Sequence, residues 1–246
     1  MGEVASGWVI AENLEDKMNF TEFQKIPRLS RECIITEKID GTNGSIFIEP
    51  VVNFLPVKIV PALPGGVALF ESDDAKIEYW LKAHSAFYRV RGPNGLDMIM
   101  AAGQRTQWTD PKGGNAGFGK WVYDNREELV KLGPGHHFGE WWGGKIQRGY
   151  GLKEKRFSLF NTSRWNDETK PTCCHVVPVL YQGLFTTTAV DEAIERLQRE
   201  GSLAAPGFMN PEGVVVYHVA GNLMFKKTIE KDEMPKGQLA REAQTV

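Results

Sequence analysis

Apolar residues fall mostly in short β-branched runs set off by glycine, and helical periodicity is confined to a few segments. Cys33-Ile34-Ile35-Thr36 has the content of a buried strand, Gly41 permits a sharp turn, and Ser45-Ile46-Phe47-Ile48 supplies the returning strand. Val214 to Tyr217 is strongly β-prone, and Leu223 to Lys227 reads as a further strand. Helical spacing predicts one helix from Asn115 to Leu132, with Phe118, Trp121, Val122, Asn125 and Leu129 on one face and Gly133-Pro134 as the stop. A second helix is predicted from Thr188 to Glu200. Thr188 is its cap, Asp191 the capping-box acid, Val190, Ile194 and Leu197 its apolar stripe, and Gly201 its end. Ile77, Trp80 and Leu81 predict a shorter amphipathic helix between Glu71 and His84. Turn signals at Pro61 to Gly66 and at Pro93-Asn94-Gly95 make roughly residues 51 to 100 read as an insertion decorating the sheet. The pattern is therefore α+β, strand-rich with flanking helices.

A chain of 246 residues can bury one sizeable core, so a single domain over residues 1–230 with a polar tail at 231–246 is expected. A net charge of -2 and a pI near 6.2 provide no global positive field, so contact with a polyanion must rest on a local patch. No apolar run approaches the roughly 20 residues that span a bilayer, and the N-terminus lacks a signal-peptide pattern. These features predict a soluble, cytoplasmic protein. Met1-Gly2 with Ser6 formally fits a myristoylation pattern, against which stand Glu3 and the lack of a second membrane signal. Three cysteines, with Cys173 and Cys174 adjacent, form no disulfide framework. Cys173, Cys174 and His175, with His136-His137, lack the usual zinc-knuckle spacing, and buried thiols are the simpler expectation.

Residues 37 to 43 read Glu-Lys-Ile-Asp-Gly-Thr-Asn, which sets a lysine, an acid and a glycine at a strand end. A lysine amine becomes nucleophilic only when desolvation or nearby positive charge favours its neutral form. Taken alone, the stretch is equally a surface hairpin with a Lys-Asp pair. Further segments follow in order: Phe138-Gly139-Glu140-Trp141-Trp142-Gly143, Lys155-Arg156-Phe157-Ser158-Leu159-Phe160-Asn161, Pro211-Glu212-Gly213-Val214-Val215-Val216, and Leu223-Met224-Phe225-Lys226-Lys227.

This ordered set resembles the nucleotidyl motifs of the covalent nucleotidyltransferases, which comprise DNA ligases, RNA ligases and messenger RNA capping enzymes. Its first motif is most similar to that of the RNA ligase 2 branch. The resemblance spans roughly residues 30 to 230 and implies an ATP-grasp-like adenylation fold of antiparallel sheets with flanking helices. An OB-fold domain with a sixth basic motif, which follows the core in many relatives, is not expected within residues 231–246. The implied activity is ATP-dependent RNA ligation through a lysyl-AMP intermediate, joining 5′-phosphate and 3′-hydroxyl ends in the manner of RNA repair. ATP and Mg2+ or Mn2+ are the implied cofactors, and a monomer acting on RNA is expected. An ATP-dependent DNA ligase and a non-catalytic nucleic-acid-binding relative are the alternatives.

By the resemblance, Lys38 is the nucleophile, Glu212 binds the metal, and Lys226 and Lys227 are candidates to contact the phosphates; strand alternation lets only one of the two point into the pocket, and Lys226 is the favoured one. Relatives commonly carry Lys-x-Lys at this position, whereas this chain has Thr228 at the second site. Glu37 is the acceptor for the adenine amino group, which favours ATP over GTP. Ile39, Asn43 and Arg105 lie in the cofactor pocket, Glu140 contacts the ribose, and Phe157 is the aromatic on which the base stacks. Arg105 is equally suited to pairing a surface carboxylate, and Phe160, Trp141 and Trp142 to core packing. Lys145, Arg148, Lys153, Lys155 and Arg156 form a cluster that is either a solvated face or a contact surface for RNA phosphates.

Overall fold

In the computed structural model, which describes residues 25–53, 62–63, 66–67, 72–230 and 232, the β-branched run around Ile34 is strand β1 (Glu32–Lys38). It is followed by β2 (Thr42–Pro50), β3 (Ala62–Leu63), β4 (Gly66–Val67), helix α1 (Asp73–Ala83), β5 (Phe87–Arg91), β6 (Asp97–Gly103) and β7 (Trp108–Thr109). The second half carries α2 (Phe118–Asp124), α3 (Arg126–Leu129), β8 (Gly135–Gly143), β9 (Lys155–Leu159), β10 (His175–Val176), β11 (Val179–Leu184), α4 (Thr187–Glu200), β12 (Gly213–His218) and β13 (Leu223–Thr228). One sheet has the order β11-β1-β12-β13, and a seven-stranded sheet runs β10-β9-β8-β2-β6-β5 with β7 paired to β6. Among the described strands, all pairings are antiparallel except β9 with β10. The chain is thus α+β, built of antiparallel sheets with few helices. Among the described residues, no helix is long and apolar enough to cross a membrane.

Strand periodicity divides each sheet into a core face and a second face. In the smaller sheet, Cys33 and Ile35 of β1 and Val214 and Val216 of β12 pack under Val190, Ile194 and Leu197 of α4. In the larger sheet, Ile46, Ile48, Met100, Trp141, Phe157 and Leu159 pack on Phe118, Val122 and Leu129. Burying one such side chain contributes roughly 1.5 to 3 kcal/mol, so the two cores hold the sheets as separate apolar bodies. The opposite faces are left to line a cavity.

Several sequence expectations change. The predicted helix from Asn115 to Leu132 is broken. Asn125 (φ -100°, ψ 12°) separates α2 from α3, and short 3-10 turns stand at Asn115–Gly117 and Val130–Leu132. The Asn125 Nδ2 donates to the Trp121 carbonyl at 2.8 Å while its backbone N–H uses the same oxygen, the local competition that makes asparagine a helix interrupter. Helix α4 starts earlier than expected. Thr186, not Thr188, caps it by accepting from the Ala189 N–H at 3.0 Å, and Asp191 pairs with Lys227 instead of closing a capping box. Gly201 ends it with φ 78°. The stretch read as an insertion is partly integral: β5 and β6, joined through the turn at Gly95, are strands of the larger sheet, and β6 pairs β2 from Ser45–Gly103 to Pro50–Met98. Ile77 of α1 packs there on Val51 and Ile99, beside Trp80 and Leu81. Most of Pro61 to Gly66, the 231–246 tail apart from Asp232, and the Met1 to Ser6 pattern lie outside the described residues.

Gly213 ties β12 to β13. A Cβ there would stand 2.2 Å from the Lys227 carbonyl oxygen and 2.7 Å from the Thr228 Cα, and its φ is +152°. Neither neighbour can withdraw, because both are backbone. Gly213→Ala should lower stability by about 1 to 3 kcal/mol, read as a lower urea midpoint at unchanged slope. An unshifted midpoint would show that the strand ends separate freely.

Candidate active site

A cavity of about 790 Å³ opens between the two sheets. Ile34, Thr36 and Lys38 of β1 and Val215 and Tyr217 of β12 line one wall, and these are the residues alternate to the core set. Asn43 of β2, His136, Phe138 and Glu140 of β8, and Phe160 just after β9 line the other.

Lys38 ends β1 and is paired across the ladder with Gly213, which brings the preceding Glu212 alongside. The Lys38 Nζ donates to the Glu212 Oε2 at 2.5 Å, and both side chains are largely enclosed. The turn from β1 into β2 is held against β8. The Gly41 N–H donates to the Glu140 Oε1 at 3.1 Å, and a Cβ on Gly41 would lie 2.5 Å from the Trp141 carbonyl oxygen. The Asn43 Nδ2 reaches the other Glu140 oxygen at 3.4 Å. Glu140 is buried, and that burial lifts its pKa to about 7; the Lys38 charge and the Gly41 N–H oppose the rise, while Glu212 and Asp40 reinforce it. Lys38, Glu140, Glu212 and Asn43 are therefore gathered at one point from three strands and a loop.

The neighbouring Glu37 points the other way, as strand alternation requires, and is buried. It accepts from the Ser202 Oγ at 2.6 Å, the Leu203 N–H at 2.8 Å and the Ala204 N–H at 3.0 Å. Burial raises its pKa against these three bonds. Glu37 also borders the cavity, so the residue expected to read the adenine amino group is held in place by the loop after α4, which it pins beside β1. Phe157 needs a correction. It is fully buried against Phe118 and Trp121, with ring centroids 5.0 and 5.8 Å away, and has no face free for a base. Alternation along β9 sends Phe160 to the cavity wall instead, 38% exposed. The same strand period would have separated the two aromatics in the sequence, had the core side of β9 been known.

Ile39 is buried with Trp142, Tyr150 and Val177 at the cavity edge. Arg105 stands exposed in the turn between β6 and β7, lines the cavity, and has no ion pair among the described residues. In β13, Lys226 pairs across from cavity-lining Val215 and shares a strand face with cavity-lining Met224. Lys227 lies opposite core Val214 and pairs with Asp191 of α4 at 2.5 Å. Lys226 has no ion pair among the described residues.

The basic cluster read as a contact face for RNA is mostly engaged by the protein itself. The Arg148 Nε bonds Asp40 at 3.1 Å and its Nη1 bonds the Asn210 carbonyl and side chain at 3.0 and 2.8 Å, joining the Lys38 turn to the loop before Glu212. The Lys155 Nζ donates to the Ala116 carbonyl at 2.6 Å, and the Arg156 Nε to Glu154 at 3.1 Å. Lys145 and Lys153 are exposed and unpaired among the described residues, and none of the five lines the cavity. No group of three or more His, Cys, Asp or Glu side chains among the described residues forms a ready metal cage. Glu212 and Glu140 nevertheless offer hard carboxylate oxygens at one point, the donor set suited to a divalent cation that keeps its waters and shares a phosphate ligand.

The RNA ligase family model matches residues 31–229, so the chain belongs to the RNA ligase family. No curated protein matches it. A solved structure of an apo mutant of Naegleria gruberi RNA ligase R4a is similar at 16% identity and a TM-score of 0.37, over 81% of this chain and 50% of that one. The chain thus spans half the length of that protein.

Glu140 gives the site a pH signature. Its carboxyl is raised from 4.5 to about 7, so across that window the native state keeps a proton that the unfolded chain has released. Stability therefore falls as pH rises through the window, by at most roughly 3 kcal/mol. Glu140→Gln should flatten this slope in urea titrations between pH 5 and 7.5. An identical slope in the variant would show that Glu140 keeps no such proton.

Proposed function

We propose that the protein is an ATP-dependent RNA ligase that carries AMP on Lys38 and joins a 5′-phosphate to a 3′-hydroxyl end. The observation that carries this reading is the Lys38–Glu212 contact at the cavity wall, with Glu140 and Asn43 facing it. Membership of the RNA ligase family supports it.

In the first step the neutral Lys38 amine attacks the α-phosphorus of ATP. A P–N bond forms, the bond to pyrophosphate breaks, and the amine loses its proton. Glu212, which bonds that amine, is positioned to hold the proton or the charge that replaces it. In the second step a 5′-phosphate oxygen of RNA attacks the AMP phosphorus and Lys38 leaves, regaining a proton. In the third step the 3′-hydroxyl attacks the RNA phosphate and AMP departs. All three are in-line displacements, so the work of the protein is positioning and charge neutralisation.

Mg2+ or Mn2+ would be held by Glu212 and Glu140, and when bound it supplies positive charge to the triphosphate and favours the neutral lysine. Asn43 and Glu140 would orient the ribose and phosphates. Lys226 would stabilise the departing charge from the opposite wall, and Phe160 would offer its exposed face to the base, with Val215 across the cavity. RNA is the substrate this reading assigns, and the acting species is a monomer.

Purified protein mixed with ATP and magnesium should gain one AMP by intact-mass spectrometry, through an acid-labile bond, and Lys38→Ala should gain none. Absence of any adduct in the wild type across varied metals, after stripping of AMP already bound, would overturn the enzyme reading.

The two lysines of β13 should separate in the same assay. Lys226→Ala should slow self-labelling about tenfold to hundredfold, the loss expected for one charged contact to a phosphate. Lys227→Ala removes only an exposed ion pair worth about 0 to 1 kcal/mol and should label almost normally. Equal rates in the two variants, or the reverse order, would mean that Lys226 does not serve the phosphates.

A further inference from the structure

The aromatic wall of the cavity does not stop at its rim. From Phe138, the ring of His136 follows at 4.3 Å, and Trp108 of β7 lies 5.7 Å beyond it in a near-parallel arrangement of 28°. Trp108 in turn meets Phe87 of β5 at 5.0 Å and Phe47 of β2 at 5.7 Å. Strand alternation places Phe138, His136 and Phe47 on one face of the larger sheet, since β2 and β8 pair Phe47 with His136 and Ser45 with Phe138. The result is a row of three rings, Phe138, His136 and Trp108, that leads out of the cavity across the sheet and rests on Phe47 and Phe87.

Phe47 and Phe87 pack on the core around Ile77, but the rings nearer the cavity are not spent in this way. Phe138 is 54% exposed and Trp108 41%, and neither belongs to a buried apolar cluster. Contiguous exposed aromatic surface is unusual on a soluble protein and marks contact with something else. Arg105 lies in the turn just before Trp108, exposed, without an ion pair among the described residues, and on the cavity wall as well.

Exposed rings in a row beside an unpaired guanidinium suit one kind of polymer. The bases of a single strand offer free π-faces to stack on aromatic side chains while a cation takes the backbone. A duplex has no such faces to give, because its bases are already stacked on one another, and double-stranded RNA is bound through its minor groove and phosphates. The row is also joined to the cavity, which Phe138 and His136 line. Its continuity with the cavity directs the strand end towards Lys38.

We propose that this lane binds an unpaired RNA strand next to the end to be joined, with successive bases stacked on Phe138, His136 and Trp108 and a phosphate on Arg105. The proposal deepens the reading of the cavity as the lysyl-AMP site, on which its orientation rests. It makes single-stranded or looped RNA ends, rather than a nick in a continuous duplex, the preferred substrate.

Fluorescence anisotropy with the full chain tests it. The probes are a labelled 5′-phosphorylated RNA strand, the same strand with abasic sites near that end, and the strand annealed in a complete duplex. The strand should bind roughly fivefold or more tightly than its abasic form, and Trp108→Ala should weaken it by a similar factor. Trp108→Ala should bind the intact and abasic strands more nearly alike, Trp108→Phe should recover most of the affinity, and Phe138→Ala should weaken it independently. Self-labelling with ATP should be unchanged in Trp108→Ala, since Trp108 lies outside the cavity. Equal wild-type affinity for the intact and abasic strands, or tighter binding of the duplex, overturns the lane even if Trp108→Ala fails to fold. Base-dependent binding by a wild type that never labels with ATP would leave the lane standing and sink the lysyl-AMP reading. Labelling with base-independent binding would do the reverse.

Discussion

Adjacent residues of a strand face opposite ways, and the site depends on that constraint at the end of β1. Glu37 turns inward and is bonded by Ser202, Leu203 and Ala204, whereas Lys38 turns into the cavity and meets Glu212. A charged side chain on the core side would be costly if left unpaired, and the three donors of the post-α4 loop meet that cost. In doing so they fix the strand end from which Lys38 projects. The buried acid and the cavity-facing lysine are thus one device, with the core side anchoring what the cavity side uses.

The same logic governs the loops. Arg148 bridges Asp40 in the β1–β2 turn to Asn210 before β12, so the two segments that carry Lys38 and Glu212 are held by one guanidinium whose planar donors reach both. Tyr150 adds a second tie, its hydroxyl accepting from the Asp40 N–H at 2.8 Å. Charge that looked available for a polyanion is in this way committed to geometry. The surface that the proposed reading leaves for RNA is correspondingly less basic and more aromatic, in keeping with a net charge of -2.

Glu140 shows how a site can be strained towards neutrality yet keep an acid. Its carboxyl is enclosed between Gly41 and Asn43 and close to Glu212, so ionisation is opposed by burial and by like charge. Positive charge arriving with a cation would relieve that opposition. The stability lost to the crowded carboxylates belongs to the pattern in which binding sites are less stable than their surroundings.

The chain alone determined the strands around Ile34 and Val214, the turn at Gly41, the end of α4 at Gly201, and the group Lys38, Glu140 and Glu212. The strands, the turn and the helix end follow from local causes, β-branched runs and glycine conformations, whereas the three charged residues were singled out by the resemblance of the ordered motifs to a known family. Tertiary structure decided the rest. Whether Phe157 or Phe160 faced the cavity depended on which side of β9 met α2, and which of Lys226 and Lys227 shares a face with cavity-lining Met224 depended on the register of β13 against β12. Whether Glu37 was free and Arg148 available depended on partners distant in the sequence, Leu203 and Asn210 among them. The lane from Phe138 to Trp108 arises because β2, β7 and β8 converge on one sheet face, a juxtaposition that no spacing along the chain records. Period and composition specify which side chains share a face, but only the packing of faces against one another decides which of them is left to meet a ligand.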